Sequence, residues 1–227
     1  MLEIDILTIF PDMLSSVLGE SILKRAQAAG LVRIRCPNLR DWAEGAHRTT
    51  DDRPYGGGPG MVMKPEPVYR AVRALRRGNS RVILMTPQGA TFTQAAAQRL
   101  AKESHLVFVC GHYEGFDERI RALADEELSI GDYILTNGVL ASAVVTDAVV
   151  RLLPGALGDA ESAADESFSE GGLEYPQWTR PEVFEGMAVP EILLSGDHGA
   201  IAQWRRQQAK ARTAARRPDL PMFGKNA

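Results

Sequence analysis

The chain has little cysteine: only Cys36 and Cys110 among 227 residues, with no Cys-x-x-Cys pair. That excludes a disulfide framework and a thiolate zinc knuckle, and it fits a reducing, cytoplasmic protein. Histidine is also scarce, and His47, His105, His112 and His198 show no metal-ligand spacing, so no metal ligands are assigned. Long apolar runs are missing. The longest, around residues 139–153, is interrupted by Asp147 and Arg151, so no membrane span is expected. The first residues, Met1-Leu2-Glu3-Ile4-Asp5, lack the basic start and apolar core of a secretion signal. No excess of one charge exists either, since 26 Lys and Arg face 29 Asp and Glu. The exception is local: Arg205, Arg206, Lys210, Arg212, Arg216 and Arg217 crowd one carboxylate-free stretch, and such a patch can bind phosphates under a net negative total.

What is present reads as alternating strands and helices. Residues 3–10, Val32 to Cys36, Arg81 to Met85 and His105 to Cys110 are β-branched or apolar runs ended by Pro, Gly or polar turns. Helical spacing runs from Leu14 to Ile22, Pro65 to Leu75, Thr93 to Glu103, Glu114 to Ala124 and Ala141 to Leu153, and Ile134-Leu135 is placed at a strand end. This alternation predicts an α/β fold with a mostly parallel sheet and helices on both faces. Asn38 to Lys64 is aperiodic and predicts a long functional loop. Residues 1–157 are expected to form one domain, 158–172 a polar linker or lid, and 173–227 a small helical domain. Its helices are placed over Pro181 to Gly186, Pro190 to Leu194 and Gly199 to Arg217.

Four polar, glycine-bearing stretches follow or adjoin these elements. Arg53-Pro54-Tyr55-Gly56-Gly57-Gly58-Pro59-Gly60-Met61 lacks the Gly-Lys-Ser/Thr of a phosphate-binding loop, so it reads as a surface loop or as main chain that closely approaches a ligand. Thr86-Pro87-Gln88-Gly89, Cys110 to Arg119 and Ser129 to Gly138 are each a turn or a wall of a ligand pocket at the carboxyl ends of strands. Three such stretches in one α/β unit favour the pocket. Asp147 and Arg151 have the spacing of a helical ion pair, and Arg151 equally suits a cation at a site. Asp165 and Glu166 read as solvated linker acids or as a carboxylate base.

Taken in order, these motifs resemble the bacterial tRNA (guanine-N1)-methyltransferases that act on guanosine 37, in the trefoil-knot superfamily. The resemblance runs from Thr8-Ile9-Phe10-Pro11 through the glycine loop and the strand-end motifs to Tyr175-Pro176-Gln177-Trp178-Thr179-Arg180-Pro181 and Leu193-Leu194-Ser195-Gly196-Asp197-His198. It implies a deep trefoil knot in the sheet, a rare exception to unknotted topology. It also implies a homodimer with shared active sites, and S-adenosyl-L-methionine as methyl donor. Carried over by position, the cofactor contacts fall on Pro87, Gly89, Gly111, Tyr113, Glu114, Ile130, Gly131, Asp132, Tyr133, Ile134, Leu135 and Gly138. The resemblance assigns Glu166, before Ser167-Phe168, as general base and Arg151 as the cation that stabilises the guanine. The family residue at position 166 is often Asp, so Asp165 stays a rival. Asn137 and Val139 also depart from the common Gly and Glu. The resemblance further raises Mg2+ as an aid to the base, and the anticodon stem-loop of tRNA as partner of the basic tail. A knotted methyltransferase for another RNA position and a non-catalytic RNA-binding dimer are the competing functions.

Overall fold

A computed structural model describes residues 1–157, 166–169 and 171–220. The chain forms two compact units, Met1–Gly158 and Asp159–Ala227. In the first, β1 (Leu2–Leu7), short helices α1 (Ser15–Leu18) and α2 (Ser21–Ala28), and β2 (Val32–Arg35) lead into the long loop. That loop contains a 3-10 turn, Leu39–Trp42, and the two-residue strands β3 (Asp51–Asp52) and β4 (Val62–Met63). Then come α3 (Pro65–Leu75), β5 (Ser80–Thr91), α4 (Gln94–Leu100), β6 (His105–Cys110), β7 (Glu126–Ser129) and α5 (Val139–Val150).

Five strands pair in the order β2-β1-β6-β5-β7, all parallel, as the alternating pattern predicts. All six residues of central β6 are buried, because helices cover both faces. The two-residue side-chain period sorts the core. Ile4, Ile6, Leu106, Phe108, Ile83 and Met85 pack toward one face, with α2, α4 and the apolar α5. Leu7, Val107, Val109, Val82 and Leu84 pack toward the other, against Val68, Ala71 and Val72 of α3. Those α3 positions lie on one helical stripe, and Pro65 starts the helix, where no N–H is required.

Two expectations need correction in this unit. Glu114 to Ala124 is not one helix; only the 3-10 turn Glu118–Leu123 forms. The preceding residues are drawn off, because Glu114 N donates to Met61 O and Asp117 N to Met63 O, at 3.0 Å each. Ile134-Leu135 ends no strand. The local strand is β7, earlier in the chain, whose mixed sequence Glu-Glu-Leu-Ser carries little apolar signal.

A polar network locks the opposite, amino-terminal end of the sheet. Asp5 is fully buried, and Arg35 grips it with two hydrogen bonds of 2.7 Å. His105 Nε2 lies 3.0 Å from the same carboxylate, and its Nδ1 lies 2.6 Å from Ser80 Oγ. Asp5→Ala leaves the buried His105 Nε2 without its partner and takes two hydrogen bonds from the half-exposed Arg35, at a cost of about 1–3 kcal/mol. Urea unfolding should therefore show a midpoint well below wild type, whereas a loss under about 1 kcal/mol would show the network to be dispensable.

In the second unit the expected helix over Pro181 to Gly186 is instead a hairpin of β8 (Val183–Phe184) and β9 (Met187–Ala188). Glu185 and Gly186 have φ of 50° and 77°, the pair of left-handed residues that a tight hairpin turn needs. A 3-10 turn covers Glu191–Leu194, and α6 runs over His198–Arg216. The side chain of Asp197 caps α6 by accepting from Ala200 N at 3.0 Å. The unit is thus not all helical.

Candidate active site

The carboxyl ends of β6, β5 and β7, three adjacent parallel strands, open into a cleft of about 470 Å3. Open α/β sheets bind ligands at this end, and the volume suits a molecule of cofactor size. Three walls enclose it.

The first wall is a bulge inside β5. Met85 and Ala90 both register with Leu128 of β7, so the residues between them loop outward. Gly89 backs this bulge against β7. A Cβ there would lie 2.5 Å from Glu127 C and Leu128 N, so only glycine lets the two main chains touch. Arg121 ties the bulge down. Its guanidinium donates to Gln88 Oε1 at 2.7 Å, to Glu118 Oε2 at 2.9 Å, and to Glu127.

The second wall follows β6 and the third follows β7. Gly138 N donates to Gly111 O at 2.8 Å, and His112 pairs with Asn137 in an antiparallel bridge. Gly138 packs so tightly that a Cβ would sit 3.0–3.1 Å from Met85 Cβ, Cys110 Cα and Gly111 N. The glycine loop reaches the cleft only indirectly: the Glu114 side chain lies over Gly60, and Glu114 also lines the cleft.

Of the residues expected to hold a cofactor, Pro87, Gly111, Tyr113, Glu114, Ile130, Gly131, Tyr133, Ile134, Leu135 and Gly138 line this cleft. Gly89 and Asp132 do not line it, and Gly89 instead supports the first wall. Gln88, His112 and Arg121 line it with no role assigned from the sequence, and Asn137, where the chain departs from the family pattern, lines it as well.

The cleft floor is chemically quiet. Cys110 is buried, and burial pushes its thiol up to about 12, so it is a neutral sulfhydryl and no nucleophile at neutral pH. The His112 ring stands edge-on to Phe10 and Tyr113, at centroid distances of 5.1 and 4.3 Å, and its buried Nδ1 has no hydrogen-bond partner among the described residues. Burial lowers its pKa; nearby Asp51 opposes this, and Arg40 adds to it. A histidine depressed in the folded state stabilises above its unfolded pKa of about 6.5, and loses that contribution as pH falls through the folded value. Stability should fall as the pH drops below about 6.5, and His112→Asn should flatten part of that fall in thermal melts. Parallel wild-type and variant profiles would refute this role for His112.

Arg151 ends α5, its backbone N donating to Asp147 O at 3.1 Å. Glu166 belongs to the second unit, in a tight turn where Ser169 N donates to Glu166 O at 3.2 Å. That turn is anchored to α6. Ser167 Oγ accepts from Glu174 N at 3.1 Å, and Leu173 N donates to Thr213 Oγ1 at 2.9 Å. The Arg217 guanidinium sits 5.9 Å from the Phe168 ring centre. Asp165, most of the expected linker and Glu170 lie outside the described residues. Among the described residues no helix is long and apolar enough to cross a membrane.

Comparison with known proteins adds an independent line. A protein from Syntrophotalea carbinolica, named tRNA (guanine-N(1)-)-methyltransferase, is 61% identical over 218 residues, covering 95% of this chain and 88% of that one. Proteins of the same name from Geobacillus kaustophilus and Dictyoglomus turgidum are 58% and 56% identical, covering 96% and 97% of this chain and 91% and 90% of theirs. The family profile described as tRNA (Guanine-1)-methyltransferase TrmD matches residues 2–222. Similarity this high over nearly the full length reaches both units and every motif around the cleft, and the chain belongs to the tRNA (guanine-1)-methyltransferase family.

Proposed function

We propose that this protein transfers a methyl group from S-adenosyl-L-methionine to N1 of guanosine 37 in tRNA. The observation that carries the reading is the cleft, built from the family's glycine-bearing motifs at the ends of β5, β6 and β7. Its size and its mix of main-chain, aromatic and aliphatic surface fit an adenosine joined to an amino acid. Pro87, Gly111, Tyr113, Glu114, Ile130, Gly131, Tyr133, Ile134, Leu135 and Gly138 hold the donor, with Gly89 backing the wall. When bound, the donor supplies an activated methyl group on a sulfonium.

The chain's own work is on the base. Guanine N1 carries a proton and is a poor nucleophile until that proton leaves. The Glu166 carboxylate takes it, and the Arg151 guanidinium stabilises the negative charge that spreads to O6. With that proton gone, N1 would be the nucleophile for the methyl group that the bound donor supplies. Among the described residues no group of three or more His, Cys, Asp or Glu side chains is arranged to hold a metal ion, and no step here is routed through Mg2+.

A homodimer with shared sites is part of the reading. Phe10, Met13, Leu140 and Val144 are 38–50% exposed, and α5 packs beside the turn that carries Met13. A contiguous apolar strip of this kind marks an interface. The knot belongs to the reading too. It is supported by β7 pairing beyond β5 although β6 precedes it in the chain, and by the hydrogen bond between Gly138 and Gly111.

Labelled methyl transfer tests the proposal. A tRNA with guanosine at position 37 should accept label and its adenosine variant should not. Label on both, or on ribosomal RNA alone, would mean another target position. No transfer in a single turnover would mean a non-catalytic RNA binder.

A further inference from the structure

The second unit contains a cleft of its own, of about 490 Å3, that the reaction above does not use. Its lining combines three chemistries. Trp178 is an aromatic face, 46% exposed. Arg180 and Arg205 are cations, and Arg205 lies 4.6 Å from the ring centre of Tyr175. Glu182 is a carboxylate acceptor. Among the described residues, the side chains of Arg180 and Glu182 make no ion pair or hydrogen bond, and the Tyr175 stack is the contact of Arg205.

We infer that this cleft binds one unpaired nucleotide of the RNA substrate, its base stacked on Trp178. The inference rests on the proposed tRNA reaction and extends it to a second, non-reacting nucleotide. Charge favours RNA over a protein partner. The cleft adjoins α6, which carries Arg205, Arg206, Lys210, Arg212 and Arg216 and no acidic residue. Single-stranded nucleic acid is held by such a pairing of basic surface with aromatic platforms. Stacking on Tyr175 occupies the flat face of the Arg205 guanidinium and leaves its in-plane N–H donors for a phosphate. Arg180 supplies a second cation, and Glu182 can accept from an exocyclic amine on the base edge. The cleft volume lies in the range of nucleotide-sized sites.

The test is tRNA affinity at several salt concentrations. A base-stacking contact is worth about 1–3 kcal/mol, so Trp178→Ala should weaken binding roughly ten-fold or more with an unchanged salt slope. Arg206→Gln, by contrast, should reduce the slope by about 1, as expected for a lost phosphate contact. Trp178→Phe should keep most of the affinity, and donor affinity should not move in any of the three. With wild-type protein, one abasic position among the unpaired nucleotides should reproduce the loss, and Trp178→Ala should add nothing to it. The abasic series on wild-type protein does not depend on how well the variants fold. Wild-type affinity in Trp178→Ala, an abasic series with no sensitive position, or a change confined to oligomeric state would overturn the inference. Wild-type protein that methylates no tRNA would instead defeat the proposed function itself.

Discussion

Glu166→Gln should lower kcat for tRNA methylation by about 10²–10⁴-fold while leaving donor affinity near wild type. The amide keeps the size and hydrogen-bonding reach of the carboxylate but cannot take the N1 proton. Substrate binding should therefore survive and chemistry should not. The position is built to be reproducible: Glu166 opens a turn that Ser167, Leu173 and Thr213 tie to α6. Arg151→Gln should cost about 10²–10³-fold if it has its proposed role, because the substitution removes a charge that would stabilise density developing only as the proton leaves. The rival assignment gives the opposite pattern, in which Asp165→Asn abolishes turnover and Glu166→Gln is nearly silent. Raising the pH separates base loss from misplacement. Outside deprotonation of N1 becomes easier as pH rises, so the deficit of Glu166→Gln should shrink, while that of Arg151→Gln should persist.

Gly89→Ala should raise the dissociation constant for S-adenosyl-L-methionine at least roughly ten-fold and destabilise the first unit by about 1–3 kcal/mol, the range for overpacking. The added methyl would stand 2.5–2.6 Å from the main chain of Glu127 and Leu128. Backbone inside a parallel pair cannot swing aside as a side chain can, so the bulge must move. The bulge is the wall that carries Pro87 and Gln88. Its displacement is restrained by Arg121, which holds Gln88 on one side and Glu118 and Glu127 on the other. Arg121→Leu in the same background should soften that restraint and change donor affinity further. Calorimetric titration with the donor checks both variants. Donor affinity within about two-fold of wild type in Gly89→Ala would remove the bulge from the binding wall.

The strands were legible because their signal is local. His105 to Cys110 is a run of residues that suit burial on both faces, and Pro65 to Leu75 repeats its apolar side chains at the helical period. Each can be read within one window. The hairpin at Phe184-Glu185-Gly186-Met187 is not legible in the sequence, because it depends on two residues adopting positive φ rather than on apolar spacing. β7 went unread because only Leu128 and Ser129 of its four residues are buried.

The site divides along the same line. By itself the sequence determined which loops follow strands, which carry glycine, and which family pattern they match, since all of these are properties of neighbours in the chain. That Met85, Cys110 and Ser129 finish side by side was decided only by the tertiary structure. It follows from β7 pairing beyond β5 and not beside β6, a contact between distant residues that no local period encodes. The need for glycine at position 89 and the tight fit at position 138 were settled in the same way, because the atoms that crowd a Cβ there belong to other strand ends.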